Sequence, residues 1–269
     1  MHKIINLSSY PNTLTLQTRN EVSSTNTILK KFAKEGISDY ILVAKQQTGG
    51  RGRYDRHYFS PKSGVYFSFI FKSDIDSNLI PLITPITAVA VSETLNEYGK
   101  DTNIKWVNDV MLDNKKVCGI LVETVLEETP YIIVGIGLNL FNPKKGFPDD
   151  IKDIAGAIFD KENKKIRQDI VVKIIDKFFR YYSDIENRSF SKYYTEHCIT
   201  IGKDIEIIDV NGNKKEAKAI SLTSNLELNV QYKDGALDTI RTGEVTTYII
   251  WYFNLLLNFN LSLGINKLK

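Results

Sequence analysis

Residues 40–71 read YILVAKQQTGGRGRYDRHYFSPKSGVYFSFIF. The two ends have the texture of strands and the middle does not. Tyr40–Ala44 is a short apolar run that fits a buried strand. Val65–Phe71 is aromatic and β-branched, which suits a pleated, buried surface. Between them, Lys45–Ser63 is polar, basic and glycine-rich, and is expected to be one long loop. Loops longer than about 12–15 residues are uncommon and usually functional or disordered. At its centre stands Gln47-Thr48-Gly49-Gly50-Arg51-Gly52-Arg53-Tyr54-Asp55-Arg56. Glycines let backbone approach a ligand closely, and exposed N–H groups with arginine forks grip phosphate or carboxylate. Arg51, Arg53 and Arg56 around these glycines suit a triphosphate or a mixed anhydride. The competing readings are a solvated, mobile loop and a nucleic-acid-binding loop.

On the N-terminal side, Ser23, Ser24 and Thr25 precede a helical period at Ile28, Leu29, Phe32 and Ala33, which is helix-start chemistry. On the C-terminal side a helix is expected over Thr84–Tyr98, with Pro81 and Pro85 near its start. Ile104–Trp106, Val110–Leu112 and Val117–Val125 read as strands, the last two joined in a hairpin at Asp113-Asn114-Lys115. Tyr131–Leu138 is a further strand, and Gln168–Tyr182 and Phe190–Thr195 are helices. From Gly202 the texture changes to short β-prone runs (Ile205–Val210, Lys218–Leu222, Leu226–Tyr232, Leu237–Arg241) between turns, which suggests a small barrel or sandwich. A domain boundary falls near His197–Gly202. Ile249–Gly264 is apolar but broken by Asn254, Asn258 and Asn260, a poor match to a membrane span of about 20 apolar residues. It is expected to pack on the body or to be an extension.

The whole chain bounds these readings. Its 269 residues allow one sizeable core and a small second domain. The formal charge of +3, from 35 basic and 32 acidic side chains, is too small to imply nucleic-acid binding. Cys118 and Cys198 make no disulfide framework, and Met1–Pro11 lacks a signal-peptide pattern, so a cytoplasmic location is expected. There is no P-loop. Gly135-Ile136-Gly137-Leu138-Asn139-Leu140 begins like a dinucleotide fingerprint but has leucine where the third glycine belongs. His2, His57 and His197 form no triad pattern, and no metal-ligand spacing is present.

Two more segments carry chemistry: Lys105-Trp106-Val107-Asn108-Asp109, and Lys116-Val117-Cys118-Gly119-Ile120-Leu121-Val122-Glu123. A lysine opening a buried strand can project its ammonium into a closed pocket and bridge two negative groups; the alternative is a solvated hairpin lysine at Lys115 and Lys116. Asn108 and Asp109 are turn formers, or hold ribose or magnesium. Cys118 reads as a small core residue.

Together these segments resemble the biotin–protein ligases. Five pieces occur in order: Ser24-Thr25-Asn26; Gln47 to Arg53 with Arg56 and Phe59-Ser60-Pro61; Lys105 to Asp109; Lys116 to Glu123; and Gly135-Ile136-Gly137-Leu138-Asn139, spanning Glu21 to Asn139. The resemblance implies an α+β fold: a central mixed sheet flanked by helices, like the core of class II aminoacyl-tRNA synthetases, with a small C-terminal SH3-like β-barrel. The implied domains are 1–198 (catalytic), 199–248 (SH3-like) and 249–269 (an apolar tail). It implies that ATP, with Mg2+, activates biotin as biotinyl-AMP, and that a lysine of a biotin carboxyl carrier domain then takes the biotinyl group.

Carried over, Lys116 and Arg51 are the catalytic cations. Ser24, Thr25, Asn26, Gln47, Gly50, Arg51, Gly52, Arg53, Lys116, Gly119 and Gly137 bind biotin, the last two glycines by leaving room for it. Arg53, Arg56, Tyr58, Asn108, Asp109 and Asn139 serve the nucleotide, and no protein-held metal is implied. Asp55, Tyr58 and Val107 stand where the family commonly has glycine, tryptophan and proline. The stretch before Ser24 is too short for the DNA-binding domain some members carry, so no nucleic-acid partner is expected. No membrane partner is expected either, and a homodimer is compatible with the family. The alternatives are a lipoate–protein ligase or related acyltransferase and, in another class, a non-catalytic nucleic-acid-binding module.

Overall fold

The computed structural model describes residues 2–163, 165–208, 212–241 and 244–247, with Asp55, Glu244 and Thr247 described by their backbone alone. The chain divides into two compact units, Met1–Cys198 and Ile199–Lys269.

The strands of the first unit, in chain order, are β1 (His2–Ile5), β2 (Leu14–Val22), β3 (Tyr40–Gln47), β4 (Val65–Lys72), β5 (Asn103–Lys105), β6 (Asp109–Leu112), β7 (Lys115–Val125) and β8 (Tyr131–Leu138). They form one mixed sheet in the order β1-β2-β3-β4-β8-β7-β6-β5. The β2–β3 pair is parallel and the other pairs are antiparallel. A parallel pair needs a crossover, and helix α1 (Thr25–Lys34) supplies it. The β6–β7 hairpin turns at Asp113 and Asn114 with φ of 50° and 60°, the left-handed pair that a tight two-residue hairpin demands.

β4 and β8 read as almost unbroken apolar runs because both faces of the sheet are covered. On one face α1 packs Leu29 and Ala33 against Leu42, Ile70, Tyr131 and Ile133. On the other lie α2 (Ile83–Glu97) and α3 (Ile166–Tyr182), and there Phe178 meets Phe69 with ring centroids 4.8 Å apart. α2 is apolar around most of its circumference, and most of its residues are buried accordingly. A short helix, α4 (Phe190–Glu196), closes the unit and packs on α2.

The second unit is a five-stranded antiparallel sheet. Its strands are β9 (Asp204–Ile208), β10 (Lys214–Leu222), β11 (Leu228–Tyr232), β12 (Leu237–Ile240) and β13 (Glu244–Thr247). The order β12-β11-β10-β9-β13 leaves β12 and β13 as edges among the described residues. Period-two burial at Ile205, Ile207, Ala217, Ala219, Leu228 and Val230 marks its inner face.

The central elements fall where the sequence places them. β1 and β2 had no sequence expectation. Trp106, expected in a strand, instead opens the turn 106–108 between β5 and β6. β3 continues through Lys45–Gln47, residues expected in the loop. The apolar stretch Ile249–Gly264, and the end of the expected strand at Val210, lie outside the described residues.

Candidate functional site

The α1 side of the sheet is built by register. Ser68 of β4, Gly135 of β8 and Leu121 of β7 lie abreast. One step along, Tyr66, Gly137, Gly119 and Asp109 lie abreast across β4, β8, β7 and β6. Residues abreast, and residues two apart, share a face. The glycines therefore leave gaps on this face, and two groups of polar side chains fill them, including the gaps at Gly119 and Gly137 where room for biotin was expected.

The first group gathers at the start of α1. Ser24 caps the helix and accepts from the Thr27 N–H. The Thr25 N–H and hydroxyl both donate to Gln47 Oε1, at 2.8 and 3.2 Å. Gln47 Nε2 in turn donates to Ser60 Oγ at 3.2 Å. Asn26 Nδ2 donates to the Leu121 carbonyl and to Glu123 Oε2, at 3.2 and 3.0 Å. Ser68, fully buried, donates to Thr25 Oγ1 at 2.6 Å and Asn26 Oδ1 at 2.5 Å. A Cβ on Gly135 would run into the Asn26 amide, so glycine at that position admits this side chain.

The second group lies over the other two glycines. The Tyr58 ring occupies the space above Gly119 and Gly137: a Cβ would lie 2.8 Å from its Cε2 at the first and 2.5 Å from its Cε1 at the second. The Tyr58 hydroxyl donates to the Gly137 carbonyl at 2.9 Å. Burial holds that phenol well above its ordinary pKa, so it stays a neutral donor. Lys116 Nζ lies 5.9 Å from the Tyr58 ring centroid and 2.6 Å from Asp109 Oδ1.

A register shift in β7 brings Lys116 here. Met111 faces Lys116 but Val110 faces Cys118, so β7 holds one extra residue. An extra residue reverses the alternation of faces and turns Lys116 toward the side of Gly119, where a Cβ would lie 3.1 Å from its Cε. Its backbone is anchored by Ile154 and Gly156, at 2.7 and 3.0 Å.

The glycine–arginine loop is folded back on itself. Gly49 N–H donates to the Ser23 carbonyl, Gly52 N–H to that of Arg56, and Tyr58 N–H to that of Gly50. Arg51 and His57 form an isolated bridge. Gly50 is packed so closely that a Cβ would collide with the Tyr58 carbonyl. Arg51 Nη2 donates to Glu123 Oε1 at 2.9 Å. Arg53 Nη1 reaches Asn108 Oδ1 at 3.5 Å, and Asn108 Nδ2 is tied to the Ile120 carbonyl at 3.0 Å. Arg56 is exposed, its N–H donating to the Arg53 carbonyl. Asn139 is buried, donating from its backbone to Val117 and from its side chain to the Lys116 carbonyl. The side chain of Asp55, which stands in this loop where the family commonly has glycine, lies outside the described side chains.

The structure thus gathers Thr25, Asn26, Gln47 and Arg51 on one side, and Lys116, Asp109, Tyr58, Gly119 and Gly137 on the other. Sequence reasoning gave no role to Ser60, Ser68 or Glu123. Ser68 carried a usable signal: one aliphatic hydroxyl inside the apolar and aromatic run Val65–Phe71, where a buried polar group must find a partner. Among the described residues, no cluster of three or more His, Cys, Asp and Glu could hold a metal ion.

Residues 19–139 match the biotin/lipoate A/B protein ligase family. The chain carries a domain of that family. That domain is homologous to biotin protein ligases. The bifunctional ligase/repressor BirA of Bacillus subtilis is 34% identical over 206 residues, covering 74% of this chain and 61% of the relative. The human biotin–protein ligase is 27% identical over 215 residues, covering 74% of this chain and 29% of the relative. The chain thus spans about three fifths of the Bacillus relative and less of the human one. Among solved structures, the biotin protein ligase of Aquifex aeolicus in complex with biotin and ATP superposes with a TM-score of 0.72 at 27% identity. That match covers 88% of this chain and 99% of the Aquifex chain. It supports the α+β class with a large mixed sheet between helices.

Proposed function

We propose that the chain is an ATP-dependent biotin–protein ligase, acting in the cytoplasm on a lysine of a biotin carboxyl carrier domain. The observation that carries this reading is one site with two unlike ends. A neutral hydrogen-bonding end (Thr25, Asn26, Gln47, Ser68), with Arg51 beside it on Glu123, and a cationic end (Arg53, Lys116) lie along the α1 side of the sheet, in the fold that the Aquifex ligase uses with biotin and ATP.

The neutral end suits a cyclic urea. Ser68 has one hydroxyl proton for two acceptors, Thr25 Oγ1 and Asn26 Oδ1. A ligand N–H supplies the missing donor, and that is what a ureido ring offers. The cationic end suits the reaction. A biotin carboxylate oxygen attacks the α-phosphorus of ATP, the bond to the β-phosphate oxygen breaks, and pyrophosphate leaves. Two anions must approach, and cations fixed in advance lower that barrier. Lys116 stands between them without acting as a base. In the second half-reaction the neutral ε-amine of the acceptor lysine attacks the anhydride carbonyl, AMP departs, and the amine proton is lost to solvent.

Mg2+ would arrive on the phosphates of ATP. Asp109 offers one carboxylate beside them, in keeping with the one or two carboxylates that magnesium takes at phosphate sites. Arg53 and Asn108 would then face the nucleotide, with Arg56, Asn139 and Tyr58 at its margins. The five antiparallel strands of the second unit support reading it as the small SH3-like domain, with β12 and β13 as edges among the described residues. Cys118 and Cys198 are both buried thiols, which accords with a reducing compartment.

The test is exchange of labelled pyrophosphate into ATP, with biotin and lipoate supplied side by side. Exchange dependent on biotin is expected. Exchange with lipoate and not biotin would move the chain to the lipoate branch, and exchange with neither would sink the ligase reading.

A further inference from the structure

Glu123 closes the segment Lys116–Glu123, and the reaction as proposed gives it no task. Its surroundings do. Asn26 Nδ2 donates to Glu123 Oε2 at 3.0 Å, while Lys30 Nζ and Arg51 Nη2 reach Oε1 at 2.5 and 2.9 Å. Asn26 and Lys30 lie four residues apart on α1, so they share one helix face and converge on the same carboxylate. Arg51 comes to it from the glycine–arginine loop. The Glu123 side chain is 14% exposed, and those of Lys30 and Arg51 are 33% and 35% exposed. One carboxylate therefore joins the helix of the neutral end to the loop of the cationic end.

We infer that Glu123 is a positioning residue that couples the two ends of the site; this rests on the ligase reading above. It fixes the Asn26 amide with Nδ2 toward Leu121 and Glu123 and Oδ1 toward Ser68, the orientation a ligand N–H must meet. It also holds the Arg51 guanidinium at the sheet face before an anion arrives. When Arg51 engages the ligand, Lys30 remains on the carboxylate, so its negative charge is never left uncompensated.

Chemistry requires a carboxylate at this position. All three neighbours are N–H donors, and an ionised Glu is acceptor-only at both oxygens. Glutamine has the same shape but one accepting oxygen. Whichever way its amide turns, an NH2 group faces either Asn26 Nδ2 or the pair Lys30 and Arg51. Glu123→Asp keeps two accepting oxygens on a shorter stem. Lys30→Met removes the helix cation and leaves both site contacts in place.

The experiment compares wild type, E123Q, E123D and K30M by two readouts, after circular dichroism shows each is folded. The first needs no ligand: the rate of limited tryptic cleavage after Arg51, mapped by mass spectrometry. The second is biotin affinity by calorimetry. E123Q is expected to speed the cleavage and to raise the biotin Kd, each by about tenfold, the effect of one lost hydrogen bond to a charged group. E123D should regain most of both effects, and K30M should stay within about threefold of wild type, as expected for a partly exposed ion pair. Folded E123Q with wild-type cleavage and affinity would overturn the inference. So would E123D performing no better than E123Q, or K30M losing as much as E123Q, since net charge would then carry the effect. Failure of wild type to bind biotin would strike the ligase reading instead, and the tryptic comparison would still decide the role of Glu123.

Discussion

Replacing Gly137 with alanine places a methyl group where the Tyr58 ring now lies. The new Cβ would be 2.5 Å from Tyr58 Cε1 and 2.8 Å from Cζ. Carbon contacts sit near 3.5–4.0 Å, so the ring must withdraw by about 1 Å. It has little room to do so, because its other edge lies over Gly119 and a Cβ there would be 2.8 Å from Cε2. Overpacking of this kind costs about 1–3 kcal/mol, and loss of the Tyr58 hydrogen bond to the Gly137 carbonyl adds about 0.5–1.5 kcal/mol. The expected destabilisation is thus about 2–4 kcal/mol, read as a fall in the urea midpoint at constant slope. In a unit of this size that is a drop of about 2–4 °C in Tm per kcal/mol. The diagnostic measurement is a double-mutant cycle with Tyr58→Ala. Once the ring is gone the methyl has space, so Gly137→Ala should cost far less in that background, with a coupling of about 2 kcal/mol. Additivity of the two changes within about 0.5 kcal/mol would refute the claim that Gly137 exists to admit Tyr58.

Lys116→Ala should slow biotin-dependent pyrophosphate exchange by about 10²–10³-fold, the range for removing one preorganised contact at a developing charge; near-normal exchange in a folded variant would remove Lys116 from the chemistry. Arg51→Ala should release biotinyl-AMP from the site, so that free adenylate accumulates during turnover; a variant that leaks no more than wild type counts against a clamp in this loop. Burial, followed by its hydrogen bond to Glu93, pushes the Tyr181 phenol from 10.0 up to about 12. A raised pKa in the folded state means that stability is full below pH 10 and falls as pH rises toward 12. Tyr181→Phe should flatten that part of the profile of denaturation midpoint against pH, and an unchanged slope would show that Tyr181 is not its source.

The reach of sequence reading here follows from local signals. Val65–Phe71 and Tyr131–Leu138 are central strands covered on both faces, so their apolar runs announce them. β2 gave no such signal. Its sequence is LTLQTRNEV, and only Leu14, Leu16 and Val22 are buried, so the stretch from Gln17 to Glu21 looks like a polar connection. What makes it a strand is pairing with β3 across a crossover, a tertiary effect that overrides weak propensity. β1 is shorter still, largely exposed, and among the described residues pairs with β2 at the edge of the sheet. The site residues were legible as motif letters, but their relations were not. That Lys116 shares a side with Gly119 depends on the extra residue in β7, which strict alternation would place wrongly. That Ser68 serves Thr25 and Asn26 depends on the seating of α1 over β4.

The pair Gly135 and Gly137 shows how one pattern yields different chemistry in different surroundings. In a phosphate-binding loop, glycines free their backbone N–H groups to meet the anion. Here both glycines lie within β8, between β4 and β7: Gly135 faces Ser68 and Leu121, and Gly137 faces Tyr66 and Gly119. Their backbone groups belong to the ladders on either side, so they have none to offer a phosphate. What they contribute is the missing side chain, twice on the same face because they are two residues apart. Into those gaps come the Asn26 amide and the Tyr58 ring. The glycines shape the floor by admitting the side chains that form it, and in the proposed reading the phosphate is left to Arg51, Arg53 and Lys116. Those three cations come from the loop and the β7 bulge, two places where the regular ladder is interrupted.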